Sequence, residues 1–140
     1  MDRSRPVVML LDALNARDLD EVRALLAADF VFEEVAASGE PSRAAFVAEI
    51  ELIFAGLSDV MFRPVRLSTE GDRDFLEFRA VGEQTGKFLG IPATGAVAIV
   101  SGVFNVIEDN EHIHALRWTI DYGGLRRQLL TAAQMTKRPT

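Results

Sequence analysis

Apolar positions recur at helical spacing in the first third of the chain and at strand spacing after it. Val7, Val8, Leu10, Leu11 and Leu14 make one stripe over residues 6–16, which predicts a helix. Asp18, with Glu21 three residues on, has capping-box spacing and predicts the start of a second helix with Val22, Leu25 and Leu26 on its buried face. The run Phe30-Val31-Phe32-Glu33-Glu34-Val35 reads as a short strand. Gly39, Pro41 and Ser42 announce a third helix through Ala55, with Phe46, Ile50 and Ile53 at helical spacing and Gly56 suited to its C-terminus. Beyond Gly56 the period falls to two, and residues 59–68, 74–82, 96–107 and 112–122 read as strands. Turn residues Glu70-Gly71-Asp72 and Glu108-Asp109-Asn110 separate two pairs of them. A short helical signal returns at residues 125–130.

Helices segregated ahead of a four-strand meander predict an α+β fold, with the helices on one face of a curved antiparallel sheet that encloses a cone-shaped pocket. The whole chain, residues 1–140, reads as a single domain with a core over 6–131 and a frayed tail over 132–140. In the last strand Leu116, Trp118 and Ile120 share one face. Ile113, Ala115, Arg117, Thr119 and Asp121 share the other. The mixed face is expected to line the cone. The apolar face with Trp118 is then left bare, and a homodimer through that outer sheet face is expected to cover it.

Composition narrows the partners. The hydrophobic fraction of 49% suffices for a core. A net charge of −6 disfavours nucleic acid and anionic membrane, both of which need a basic surface. A hydrophobic small molecule is the expected partner. The chain has no cysteine, which excludes disulfides, thiolate catalysis and zinc–thiolate sites. No run approaches the roughly 18 apolar residues of a membrane span, and the expectation is a cytoplasmic protein.

Candidate chemistry gathers near the end of the chain. The stretch Gly82-Glu83-Gln84-Thr85-Gly86-Lys87-Phe88-Leu89-Gly90-Ile91-Pro92-Ala93-Thr94-Gly95 is too rich in glycine for a helix or a central strand and reads as a shaped connection at a sheet rim. Asp121 ends a mostly apolar strand; inside an apolar pocket its carboxyl would be tuned for proton transfer, and at a strand end it would cap the Gly123-Gly124 turn. Arg117, four residues earlier on the same strand face, would hold Asp121 ionised, stabilise a developing oxyanion, or form an ordinary pair. Adjacent Glu33 and Glu34 face opposite sides of their strand. Asn105 and Thr119 are candidate hydrogen-bonders to a ligand. His112 and His114 share a strand face, but no third ligand accompanies them, and no metal site is expected. Nucleophile elbow, phosphate loop and dinucleotide motif are all missing.

The segment Ala13-Leu14-Asn15-Ala16-Arg17-Asp18-Leu19-Asp20, the loop from Thr85 to Gly95, and Asp121 followed by Gly124-Leu125-Arg126-Arg127-Gln128-Leu129 carry a resemblance that runs from Val7 to Leu130. The chain resembles the SnoaL-like polyketide cyclases of the nuclear transport factor 2-like superfamily. That resemblance implies cofactor-free closure of a ring by intramolecular aldol condensation on an aromatic polyketide ester, with Asp121 as general acid/base. Arg117, Gln84, Asn105 and Thr119 would orient the substrate, and Phe32, Phe46, Phe62 and Leu89 would wall the pocket. Gln84 stands where many relatives have His, and Ala96 where they have a basic residue. Related ketosteroid isomerases place a base just after the first strand, where Glu34 falls, but their oxyanion donors correspond to Leu10 and Gly102 here. Limonene-epoxide hydrolases resemble the chain at Gly102-Val103-Phe104-Asn105 and from Arg117 to Asp121, while Arg79-Ala80-Val81 lacks their second carboxylate. A non-catalytic binding domain on the same fold is the reading from another class.

Overall fold

The computed structural model describes residues 1–33 and 42–136. Helix α1 (Pro6–Asn15) opens on proline, whose fixed φ suits the first helical turn. It ends as Arg17 turns left-handed (φ 59°), with Arg17 N–H donating to the Leu14 carbonyl and Asp18 N–H to that of Ala13. Arginine tolerates that conformation because its guanidinium is anchored. It donates to the carbonyls of Leu14, Ser58 and Val60 and lies over the Phe54 ring at 4.3 Å. Asp18 caps α2 (Leu19–Leu25), accepting from the Glu21 N–H at 3.0 Å.

Strand β1 (Leu26–Phe32) begins four residues before the expected strand, and Leu26 belongs to it rather than to α2. Long-range pairing overrides the local helical spacing here. Leu26 sits opposite Ile113 across a parallel ladder, and Arg43 donates to the carbonyls of Leu26 and Ala27. Helix α3 (Ser42–Gly56) follows, then β2 (Met61–Glu70), β3 (Arg73–Glu83), β4 (Val97–Glu108), β5 (Ile113–Ile120) and α4 (Tyr122–Thr136). The meander forms as expected, and β1 joins it, giving a five-stranded sheet of order β1-β5-β4-β3-β2 with only the β1–β5 pair parallel. Helix α4 runs far past the expected 125–130. Its Gln128 side chain donates to the Ile99 carbonyl at 2.7 Å and accepts from the Ile99 N–H at 3.0 Å, occupying the edge of β4 that β5 is too short to reach.

The two faces of β5 are the reverse of the expectation. Trp118 is 6% exposed and points inward, beside Phe104 and Phe46, while Arg117 and Thr119 face solvent. The helices cover the face with the larger apolar area, because burying an indole outweighs lining the cone with polar groups. A bulge adds to the difference: Ile107 opposes Ala115 and Glu108 opposes Ile113, so His114 has no partner residue in the ladder. The bulge lets both Ile113 and Leu116 point inward. On the outer face Val65 (60%), Val97 (66%) and Ile99 (52%) stay exposed.

At the far end of the sheet from α4, α1 is tied down by buried charge. The Glu108 side chain, 2% exposed, accepts from the Val7 N–H at 2.8 Å and from Arg5 Nε at 3.2 Å. Arg5 also pairs with Asp74, which accepts from Thr69 Oγ1 at 2.6 Å. Burial pushes the Glu108 carboxyl up to about 7; Arg5 and the Val7 N–H pull against it, and Asp74 adds to it. For Asp74 burial also raises, but hydrogen bonds from Arg5 and Thr69 outweigh it and hold the group below its ordinary value. The folded protein therefore keeps a proton on Glu108 that the unfolded chain releases above about 4.5. Its contribution to stability is full below that pH and is lost as the pH rises through about 7. His114, bonded to Asp109 and Asp29, is also raised and titrates in the same sense. Urea midpoints measured from pH 5 to 8 should fall for the native protein. They should fall less for Glu108→Gln, and the difference between the two curves isolates Glu108; parallel curves would refute the assignment.

Candidate functional site

The interior of the cone is filled. Phe62, Phe78 and Phe88 line a cavity of about 10 Å³, enough for one water and no more. A drug-sized ligand needs roughly 300–1,000 Å³. The glycine-rich loop does the filling. Thr85 and Gly86 N–H groups both donate to the Gly56 carbonyl, docking the loop on the end of α3. Gly56 is not a left-handed helix cap, as the sequence suggests; a Cβ there would lie 2.5 Å from the Phe88 ring, so its hydrogen makes room for Phe88. Phe88 and Ile91 then pair across a two-residue turn, with Leu89 (φ 52°) and Gly90 (φ 79°) both left-handed. Glycine suits that conformation. Leucine is strained in it by roughly 1–2 kcal/mol, and such strain at a rim is a marker of a working surface.

Outside that closure lies an apolar groove of about 400 Å³, walled by Ala45, Ala48, Leu52, Phe88, Leu89 and Tyr122. One carboxylate enters its wall, that of Glu49. Glu49 Oε1 accepts from Trp118 Nε1 at 3.0 Å and from Tyr122 Oη at 3.0 Å. Elements α3, β5 and α4 thus converge on one oxygen. Glu49 Oε2 receives no hydrogen bond among the described residues. Sequence reasoning did not single out Glu49, although a signal exists: it lies three residues after Phe46 and four before Ile53, on the apolar stripe of α3. A charge at a stripe position has to be satisfied by something across the core.

The expected site residues do not converge. Asp121 is exposed; its Oδ1 accepts from the Gly124 N–H at 2.8 Å and caps α4. It borders a hollow on the outer sheet face that Thr119 also lines. Arg117 is 58% exposed and points away from the cone, 3.9 Å from Glu33. Among the described residues no ion pair joins Arg117 to Asp121. Glu33 is gripped by Arg73 through bonds of 2.7 and 3.0 Å, which hold its carboxyl below the ordinary range against the effect of burial. Arg73 also donates to Asn105 Oδ1 at 3.1 Å, so Asn105 belongs to this outer-face network. Glu34, the other candidate base, lies outside the described residues. Phe32, Phe46 and Phe62 are core residues, and Leu89 alone of the expected walls borders the groove. Among the described residues no cluster of three His, Asp or Glu could hold a metal.

Gln84 is fully buried, and both ends of its amide are bonded. Its Nε2 donates to the Ile91 carbonyl at 2.9 Å, and its Oε1 accepts from the Thr94 N–H and Oγ1 at 3.1 and 2.7 Å. It holds the loop closed. Gln84→Leu would take the acceptor from the Thr94 N–H and Oγ1, at about 1–3 kcal/mol for a polar group left unpaired, while the Ile91 carbonyl would keep the Phe88 N–H. The unfolding free energy from chemical denaturation should fall by about 1–3 kcal/mol; an unchanged value would mean that the clamp does not hold the loop.

Residues 6–129 match the profile of the family described as SnoaL-like polyketide cyclase. No curated protein matches the chain. Among solved structures, AclR of Streptomyces galilaeus is 20% identical, with 90% of this chain and 93% of that one covered at a TM-score of 0.77. TsrD of Streptomyces laurentii is 24% identical, with 92% and 97% covered at 0.73. A SnoaL-like polyketide cyclase from Agrobacterium tumefaciens is 18% identical, with 89% and 94% covered at 0.70. At these identities the structures establish a shared cone-shaped fold. With the profile spanning nearly the whole sequence, the chain belongs to the SnoaL-like polyketide cyclase family.

Proposed function

We propose that this chain is a polyketide-cyclase-type enzyme that closes a ring in a hydrophobic carbonyl compound by acid/base catalysis, with the substrate held in the groove at the mouth of the cone. The observation that carries the reading is that groove, apolar on every wall but one and carrying a single carboxylate already fixed by two donors. Aldol closure needs a proton removed from carbon and a proton delivered to oxygen, and a positioned carboxylate supplies both. No cofactor enters that chemistry. Epoxide hydrolysis or isomerisation of the ketosteroid type draws less support, since Arg117 and Asp121 lie outside the cone and Gly102 supplies no oxyanion donor. The filled interior favours one second reading, a binding domain that turns nothing over.

Trp118 is the only tryptophan and touches the groove's carboxylate, so its emission reports occupancy. An anthraquinone carrying a β-keto methyl ester side chain should quench it saturably and be converted to a ring-closed isomer. Quenching without conversion would select the binding domain, and no quenching would refute both readings. Asp121→Asn is informative in the same assay: a loss of conversion in that variant would return the reaction to the end of β5.

We further propose a homodimer through the outer sheet face. Val31, Val65, Val97 and Ile99 supply exposed apolar area there, and Trp118, expected in that contact, is buried on the inner side. Sedimentation of the native chain should give twice the monomer mass of 15.4 kDa, and Ile99→Asp should give the monomer mass. A native monomer at micromolar concentration would exclude the dimer.

A further inference from the structure

We infer that Glu49 is the catalytic base and acid of the groove, and that Trp118 and Tyr122 are its positioning residues. The inference rests on the reading of the mouth as the substrate site and adds to it the atoms that do the work. Trp118 comes from the inner face of β5 and Tyr122 from the first turn of α4, yet both donate to the same oxygen of Glu49. Two neutral donors on one oxygen fix the plane of the carboxylate without supplying a counter-charge. An arginine there would lock both oxygens in a two-pronged pair; nothing of the kind reaches Glu49 among the described residues. The second oxygen, Oε2, takes no hydrogen bond among the described residues and is the acceptor available in a groove whose apolar lining includes Ala45, Ala48, Leu52, Phe88 and Leu89. The buried carboxylate at the other end of the sheet differs: Glu108 has both oxygens bonded, by Arg5 and by Val7.

The geometry assigns the steps. A flat aromatic compound lies along the groove with an acidic C–H next to a carbonyl facing Oε2. Glu49 Oε2 takes that proton, and the C–H electron pair becomes an enolate. The enolate carbon attacks a ketone carbon of the same molecule and forms the new C–C bond. The π pair of that ketone moves onto its oxygen, which recovers the proton from the Glu49 carboxylic acid. No atom is gained or lost, the product is a cyclic β-hydroxy isomer, and the carboxylate is regenerated.

Proton transfer at the α-carbon can be read separately from ring closure. The anthraquinone β-keto ester is placed in D₂O, and deuterium entry at its α-carbon above the buffer rate is followed by NMR, with Trp118 emission giving occupancy. The native protein should accelerate exchange. Glu49→Gln keeps an acceptor for Trp118 and Tyr122, so it should bind the probe within a few-fold of native while exchange falls about 10²- to 10⁴-fold. Glu49→Asp retains a carboxylate and should recover part of the loss. Tyr122→Phe should lower exchange about tenfold with occupancy unchanged, the split expected of a positioning residue. Glu51→Gln, an equal loss of charge on the exposed side of α3, should leave exchange as it was. Native-like exchange in Glu49→Gln would overturn the role of Glu49 while leaving the cyclase reading intact. A native protein that binds the probe without accelerating exchange would overturn both, and so would one that does not bind it.

Discussion

A continuous chain of aromatic rings decides what this molecule can be. Phe62 of β2 meets Phe78 of β3 at 5.4 Å, Phe78 meets Phe104 of β4 at 4.9 Å, and Phe104 stacks on Trp118 of β5 at 5.4 Å and 13°. Trp118 then meets Phe46 of α3 edge-on at 5.4 Å, and Phe46 meets Phe32 of β1 at 5.3 Å. One row of side chains thus crosses all five strands and locks the third helix to them. Each such contact is worth about 0.5–1.5 kcal/mol beyond the area it buries. The row also occupies the space a cone would otherwise offer a ligand. Beside that row, at the rim, Glu49 accepts the indole N–H of Trp118, and the proposed substrate groove lies there.

The elements were largely legible because each rests on local signals that agree with the fold. The stripe of α1, the Asp18 cap and the period-two runs all survive in the structure. What was not legible depends on partners distant in sequence. Leu26 fits a helix by spacing and becomes a strand because Ile113 and Arg43 are waiting for it. The face of β5 was misassigned because alternation says which residues share a side, never which side the helices take. An expectation that pockets have polar walls put Arg117 and Thr119 inside. The energetics put the indole there instead, and the His114 bulge shifts the alternation at the strand's start as well.

The site shows the same division. Family resemblance points to Asp121 and Gln84; in the structure Asp121 caps α4 and Gln84 clamps the loop. Glu49 carries no motif. It was visible only as a charge in an apolar stripe, a conflict between local pattern and burial that is resolved by donors some 70 residues away in sequence. Conflicts of that kind concentrate where a chain does something besides fold. Leu89 is a second instance, an apolar side chain held left-handed on the same groove.

Chemistry at a rim, as proposed, would place its own demand on the substrate. A closed cavity excludes water by its walls, and proton transfer from carbon benefits from that exclusion. Here the walls among the described residues leave the groove open, so the remaining cover would come from the molecule bound. A small ketone would leave Oε2 in contact with water and gain little. A broad, flat, fused-ring compound would cover Leu52, Phe88 and Leu89 at once and shield the carboxylate with its own area. On the proposed reading the open groove selects for size and apolarity before any hydrogen bond is made, and Glu49 Oε2 then selects, among the compounds large enough, those that bring an acidic C–H to it.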